Sequence, residues 1–160
     1  MTVRVRFVYS DDVVSFGIRA YDRPGPLLWS HVDLVTPDGG YLGARSDVCA
    51  GVSAGVQVRP VGYAAFAAEE FVDLPATDAQ VAAFWDAAHA EIGKPYDAVD
   101  LTANFLAGRD WRNPNAWWCS ELAEWCTERA EIFMPTADWC QLITPNRYYV
   151  RCSVLRKVAH

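Results

Sequence analysis

Residues 3–9, VRVRFVY, alternate apolar and polar side chains at period two, the mark of a strand with one buried face. The same period returns in SHVDLV (30–35) and YLGAR (41–45), and the TPDGG between them has the Pro-Asp-Gly content of a hairpin turn. VQVRP (56–60) and EEFVDL (69–74) add two short strands, ended by Pro60 and Pro75. The first half of the chain is therefore predicted to be β.

The period then changes. TDAQVAAFWDAAHAEIG opens on a Thr77–Gln80 capping box, sets Val81, Phe84, Trp85, Ala88 and Ile92 on one face, and stops at Gly93, which predicts a helix over 78–92. DAVDLTANFLAG (97–108) is a shorter candidate helix. Past a loop with Pro114, the residues Leu122, Trp125, Cys126 and Ala130 recur at helical spacing after Cys119, and Pro135 lies beyond the end. The tail RYYVRCSVLRKV alternates again and predicts a returning strand. Strands segregated from helices predict an α+β fold, with an antiparallel sheet or partial barrel packed against helices. No repeat or Gly/Ser-rich linker divides residues 1–160, so a single domain is expected.

Composition narrows the function. A net charge of −6 with no Lys/Arg-rich run argues against a nucleic-acid partner, which needs a positive footprint over its phosphates. No apolar run is long enough to span a bilayer, and the N-terminus lacks the apolar core of a signal peptide, so a soluble, cytoplasmically made protein without stable membrane insertion is expected. Five cysteines (49, 119, 126, 140, 152) form an odd set without a C-x-x-C pair and read as reduced thiols. The histidines (31, 89, 160) have no zinc-ligand spacing relative to them, so neither metal nor cofactor is expected.

Cys119 opens the helix that follows NPNAWW. Unpaired N–H groups and the positive dipole end of a first helical turn lower a thiol's pKa, and the same groups can hold an oxyanion. A base is then required, and histidine suits neutral pH. His160 is terminal and His89 lies beside the apolar stripe of the 78–92 helix, whereas His31 sits within the strand WSHVDLV, where geometry is held rigidly. Cys126 falls on the same helix face two turns on and reads as core, as does Cys152 in the alternating tail. Cys140 reads as core too, and Cys49, in the loop SDVCAGVSAG, as an accessible thiol without a partner. Most of the seven tryptophans lie near Cys119 in sequence, as an amphipathic cleft or a thick aromatic core. Glu121 reads as a first-turn carboxylate favoured by the helix dipole.

GKPYD (93–97), a spacer and WWCSEL (117–122) together resemble the NlpC-type cysteine peptidases, in which a Gly-x-Pro-Tyr element precedes a Cys-Ser pair opening the main helix. Here the histidine strand SHVDLVTPDGGYLGA comes before the cysteine. That order is similar to the circularly permuted papain-like branch, with the bacterial YiiX-type proteins and, more distantly, the lecithin retinol acyltransferase group; GVQVRP (55–60) also matches, and the likeness covers roughly residues 14–135. The resemblance implies a papain-like fold, Cys119 as nucleophile, His31 as general base and Tyr96 as a site-lining tyrosine that assists the oxyanion. Tyr96 alone would read as a core residue.

One position departs. The third polar residue of that family falls on the strand after the histidine, at Gly43, which has no side chain to orient an imidazole. With a five-residue TPDGG loop, Asp33 faces Gly43 across the hairpin on the same side as His31, and the missing side chain leaves room for Asp33 to take the orienting role. A two-residue turn at Asp38-Gly39 would pair His31 with Ser46 instead. The expected activity is a covalent acyl-enzyme hydrolase, an amidase or peptidase on peptidoglycan-type or other amide or peptide substrates. The competing readings are an acyltransferase or lipid-ester hydrolase using the same residues, a non-catalytic binding module such as a phage-particle component, and a cysteine redox sensor. The expected setting is cytoplasmic or phage-associated.

Overall fold

In the computed structural model, residues 1–10, 29–97, 113–133 and 144–158 are described. Most of the 97–108 helix lies outside them, as do Trp111, Pro135, Trp139, Cys140 and His160. Five strands form one antiparallel sheet: β1 (Thr2–Tyr9), β2 (His31–Val35), β3 (Tyr41–Arg45), β4 (Gly55–Arg59) and β5 (Ala68–Pro75), in the order β4-β3-β2-β1-β5. Three helices complete the described part: α1 (Asp78–Ala90), α2 (Cys119–Arg129) and α3 (Pro145–Val158). The fold is α+β, as the segregated pattern predicts.

The alternation of β1 sorts the two faces. Val3, Val5 and Phe7 are buried with Val32 and Leu34 of β2, Leu42 and Ala44 of β3, Phe84 and Ala88 of α1, Leu122 and Cys126 of α2, and Tyr148 and Cys152 of α3. The register Arg6↔Asp33 puts those two residues on the opposite face. That face is closed as well, because the 60–67 connection must pass from the β4 edge to the β5 edge and brings Tyr63 onto Asp33 and Phe66 onto Tyr63. Arg4 and Asp73, directly opposed on β1 and β5, form a bidentate surface pair at 2.7 and 2.9 Å.

Helix α1 keeps its predicted start, with both halves of the Thr77–Gln80 capping box formed. It ends at Ala90 rather than 92, so Ile92 leaves the apolar stripe and is exposed, while Gly93 turns the chain at φ +91. The tail corrects the sequence reading: residues 145–158 are helical. Its apparent alternation hides the i, i+4 pair Tyr148 and Cys152, both fully buried. A start signal was present in Thr144–Pro145, with Thr144 Oγ1 accepting from Arg147 N at 3.3 Å and proline at the first helical position.

The GKPY segment is strapped to the β4 edge. Gly93 N donates to Val56 O and Val56 N to Lys94 O, both at 2.9 Å. Gly55 makes this approach possible, at φ +97 and with a backbone so close that a Cβ would collide with the Lys94 carbonyl oxygen. Gly55→Ala is expected to cost about 2–4 kcal/mol of stability, read from urea denaturation; an unchanged midpoint would show the strap to be dispensable.

Candidate functional site

Helix α2 begins at Cys119 because Trp118 is still extended, at φ −97 and ψ 169, and its side chain makes no cap hydrogen bond. The residues before it are held from two sides. Trp117 N donates to Pro95 O and Asp97 N to Trp117 O, both at 3.1 Å, making a parallel bridge between Tyr96 and Trp117. The Trp117 indole Nε1 donates to Glu91 Oε2 at 2.5 Å, and Glu91 also pairs with Lys94. The C-terminal end of α1 thus fixes where α2 starts. Tyr96 is half-buried against the core and sits beside the segment that delivers Cys119.

His31 is the first residue of β2. Past Leu34↔Leu42 and Val35↔Tyr41 the β2–β3 register continues to Asp33 opposite Gly43, as the five-residue loop predicts, and the His31–Ser46 alternative is not the one formed. A Cβ built on Gly43 would fall 2.6 Å from Asp33 Oδ1. The carboxylate therefore occupies the volume that a side chain at 43 would need. From there Asp33 Oδ1 lies 2.9 Å from His31 Nε2.

Cys119, His31 and Asp33 are brought together by the N-terminus of α2 and the start of β2. Burial and, more weakly, the Asp33 charge push the Cys119 thiol up, but the charge and hydrogen bond of His31 and the Val32 N–H outweigh them, and the thiol is lowered. Burial likewise opposes charge on His31, yet Asp33 and Cys119 together raise it to about 9. Asp33 is held below the ordinary carboxylate range despite its burial by His31, Tyr63 and Arg6. These directions favour a thiolate–imidazolium pair backed by a carboxylate over the neutral thiol and imidazole. Cys119 is 4% exposed and His31 8%, so the charges act in a medium where they are strongly felt.

No protein-family model matches this chain, and no curated protein does.

The other cysteines differ from Cys119. Burial pushes Cys126 far up and Cys152 to about 12, leaving both as neutral thiols. Cys49 does have a partner: it is half-buried and donates to the Tyr63 carbonyl at 3.1 Å. His89 is exposed and lies against Trp85, with ring centroids 5.7 Å apart. Glu121 is fully buried in the first turn of α2. Among the described tryptophans, Trp117 and Trp118 adjoin Cys119 in the chain and Trp117 packs on Trp125, whereas Trp85 lies on α1. No group of three or more metal-ligating side chains occurs among the described residues, and no helix among them is long and apolar enough to cross a membrane.

Two participants were not singled out in the sequence. Tyr63 donates to Asp33 Oδ2 at 2.8 Å, and Arg6 Nη1 lies 3.5 Å from the same oxygen. Arg6 is itself stacked over Tyr41 at 4.2 Å and bonded to Glu69. A cavity of about 440 Å³ lined by Thr2, Val35, Thr36, Val81 and Trp85 lies at the other end of β2 from His31 and includes none of these residues.

Proposed function

We propose that the chain is a cysteine hydrolase of the permuted papain-like kind, acting through a covalent acyl-enzyme on amide substrates, with peptidoglycan-type peptides as the leading class. The single observation that carries the reading is the buried Cys119–His31–Asp33 arrangement at a helix N-terminus. The order of histidine strand before cysteine helix, and the GKPY segment beside the cysteine, support the family likeness.

In this reading the resting thiolate attacks the acyl carbonyl, and the oxyanion forms against the first-turn N–H groups of α2, with Tyr96 assisting. As the C–N bond breaks, the His31 imidazolium gives its proton to the departing amine. Neutral His31 then takes a proton from water, which adds to the thioester carbonyl; the C–S bond breaks, and thiolate and imidazolium return. Asp33 keeps the imidazole oriented and favours its charged form throughout. The same residues serve an ester or an acyl acceptor other than water, so substrate class is an outcome of the test. The non-catalytic module drew support from the empty third position at Gly43, and Asp33 supplying an acid from β2 weakens that support.

The test is acylation by matched amide and ester activity-based probes, with the modified residue identified by mass spectrometry. Cys119 should carry the label, and Cys119→Ala should abolish it. Labelling spread evenly over the five cysteines, or none at Cys119, would remove the proposal in favour of the module.

A further inference from the structure

Asp33 has two oxygens with different employers. Oδ1 faces His31 Nε2 at 2.9 Å, while Oδ2 accepts from Tyr63 at 2.8 Å and lies 3.5 Å from Arg6 Nη1. The two oxygens are equivalent, so what has to be held is the plane of the carboxylate: tilting it away from the imidazole would lengthen the His31 contact and leave the group to Arg6. The Tyr63 hydroxyl bond fixes the second oxygen and so opposes that tilt. Tyr63 is itself fixed, 6% exposed, with its ring edge-on to Tyr41 and Phe66 at 6.0 and 5.7 Å and the Arg45 guanidinium 5.3 Å from its centroid. Asp33 and Tyr63 are 30 residues apart, so the contact exists only because the 60–67 connection crosses the sheet.

We propose that Tyr63 is a positioning residue of the site, whose hydroxyl holds the Asp33 carboxylate in the plane that faces His31 and thereby supports the Cys119–His31 pair. This rests on the thiol-hydrolase reading above. The charged and titratable groups that face Asp33 are His31 from β2, Arg6 from β1 and Tyr63 from the crossing segment, with Cys119 acting on it from α2. Arg59 from β4 acts on both Asp33 and Tyr63, Arg45 from β3 acts on Tyr63, and Glu69 of β5 holds Arg6. Arg6 is the competitor for the carboxylate that the phenol restrains.

The experiment is a double-mutant cycle read by the pH dependence of Cys119 alkylation with iodoacetamide. Tyr63→Phe keeps the ring and removes only the hydroxyl. It is expected to raise the midpoint of the alkylation profile by about one pH unit, the shift that losing one hydrogen bond to a charged group produces. Asp33→Asn should raise it at least as far. Adding Tyr63→Phe to Asp33→Asn should then shift it no further, because Tyr63 acts through the carboxylate. An equal further shift in the Asp33→Asn background would mean that Tyr63 acts by packing, and no shift in Tyr63→Phe alone would mean that the hydroxyl is idle; either overturns the proposal. Should Asp33→Asn fail to fold, the His31 imidazole ¹⁵N titration in wild type and Tyr63→Phe decides instead: a midpoint lower by about one unit supports the role, and an unchanged one overturns it. If Asp33→Asn moves the midpoint and Tyr63→Phe does not, only the Tyr63 assignment falls. A wild-type Cys119 that titrates as an ordinary thiol overturns this inference and the hydrolase reading together.

Discussion

His31→Ala slows alkylation of Cys119 at pH 6 by on the order of 30-fold, although iodoacetamide has no need of a base. The reason is the thiolate population. A thiol near its ordinary pKa of about 8.5 is ionised only to about 0.3% at pH 6; His31 lowers Cys119, and a histidine-paired thiol at the acidic end of the known range is ionised there, a gain of up to about 300-fold. A more acidic thiolate is a poorer nucleophile, which takes back about tenfold. Burial of Cys119 without its cation pushes the thiol further up and enlarges the effect. In turnover of an acyl substrate the loss is larger, about 10²–10⁴-fold, since the proton donor to the leaving group goes as well. Both rates are measured by mass spectrometry and acyl-probe kinetics on protein checked for folding by circular dichroism. Equal alkylation of wild type and His31→Ala at pH 6 would mean that the two side chains do not share a proton.

How much of this was legible before the structure depends on how local each feature is. Cys119 and His31 stand at the ends of elements whose periods are clear, and TPDGG narrowed the hairpin to two registers, of which the structure forms the one with the five-residue loop. In that register the two-residue repeat of a strand sets Asp33 opposite Gly43, one of the two pairings the sequence left open. Tyr63 and Arg6 carry no such signal. Tyr63 comes from a connection whose path across the sheet is fixed by strand order, and Arg6 looks like one more outward residue of β1 until that connection covers it at 4% exposure. The tail was misread for a different reason: RYYVRCSVLRKV satisfies both periods, and tertiary burial of Tyr148 and Cys152 chose the helix. The capping Thr144 and Pro145, just upstream of the alternation that starts at Arg147, were the local tie-breaker.

Asp33→Ala lowers stability by about 3–5 kcal/mol at pH 7, because it strips a buried carboxylate from a buried imidazolium and from Arg6. The pH dependence follows from the directions of the shifts. The folded Asp33 carboxyl is depressed, so its contribution is present above about pH 4, where it ionises in the unfolded chain, and is lost as pH falls further. His31, raised to about 9, contributes fully below its unfolded value and loses that contribution as pH rises through the folded one. The lowered Cys119 runs the other way, present above its unfolded pKa and lost as pH falls through the folded value, so the dyad partly cancels across the neutral range. The gap between wild type and Asp33→Ala in urea denaturation should therefore be widest near neutrality and narrow below about pH 4. The loss is reparable at a predictable place. Gly43 is not at a positive φ, and a Cβ on it would point to the spot that Asp33 Oδ1 fills, so in an Asp33→Ala background Gly43→Asp brings a carboxylate to His31 from β3. The Cys119 alkylation midpoint should then return at least halfway to its wild-type value. In the wild-type background Gly43→Ala should do harm instead, costing about 1–3 kcal/mol as the new methyl meets the resident carboxylate. If the folded Asp33→Ala/Gly43→Asp protein keeps the midpoint of Asp33→Ala, the acid at 33 is not interchangeable with one at 43, and its role is to neutralise Arg6 rather than to orient His31.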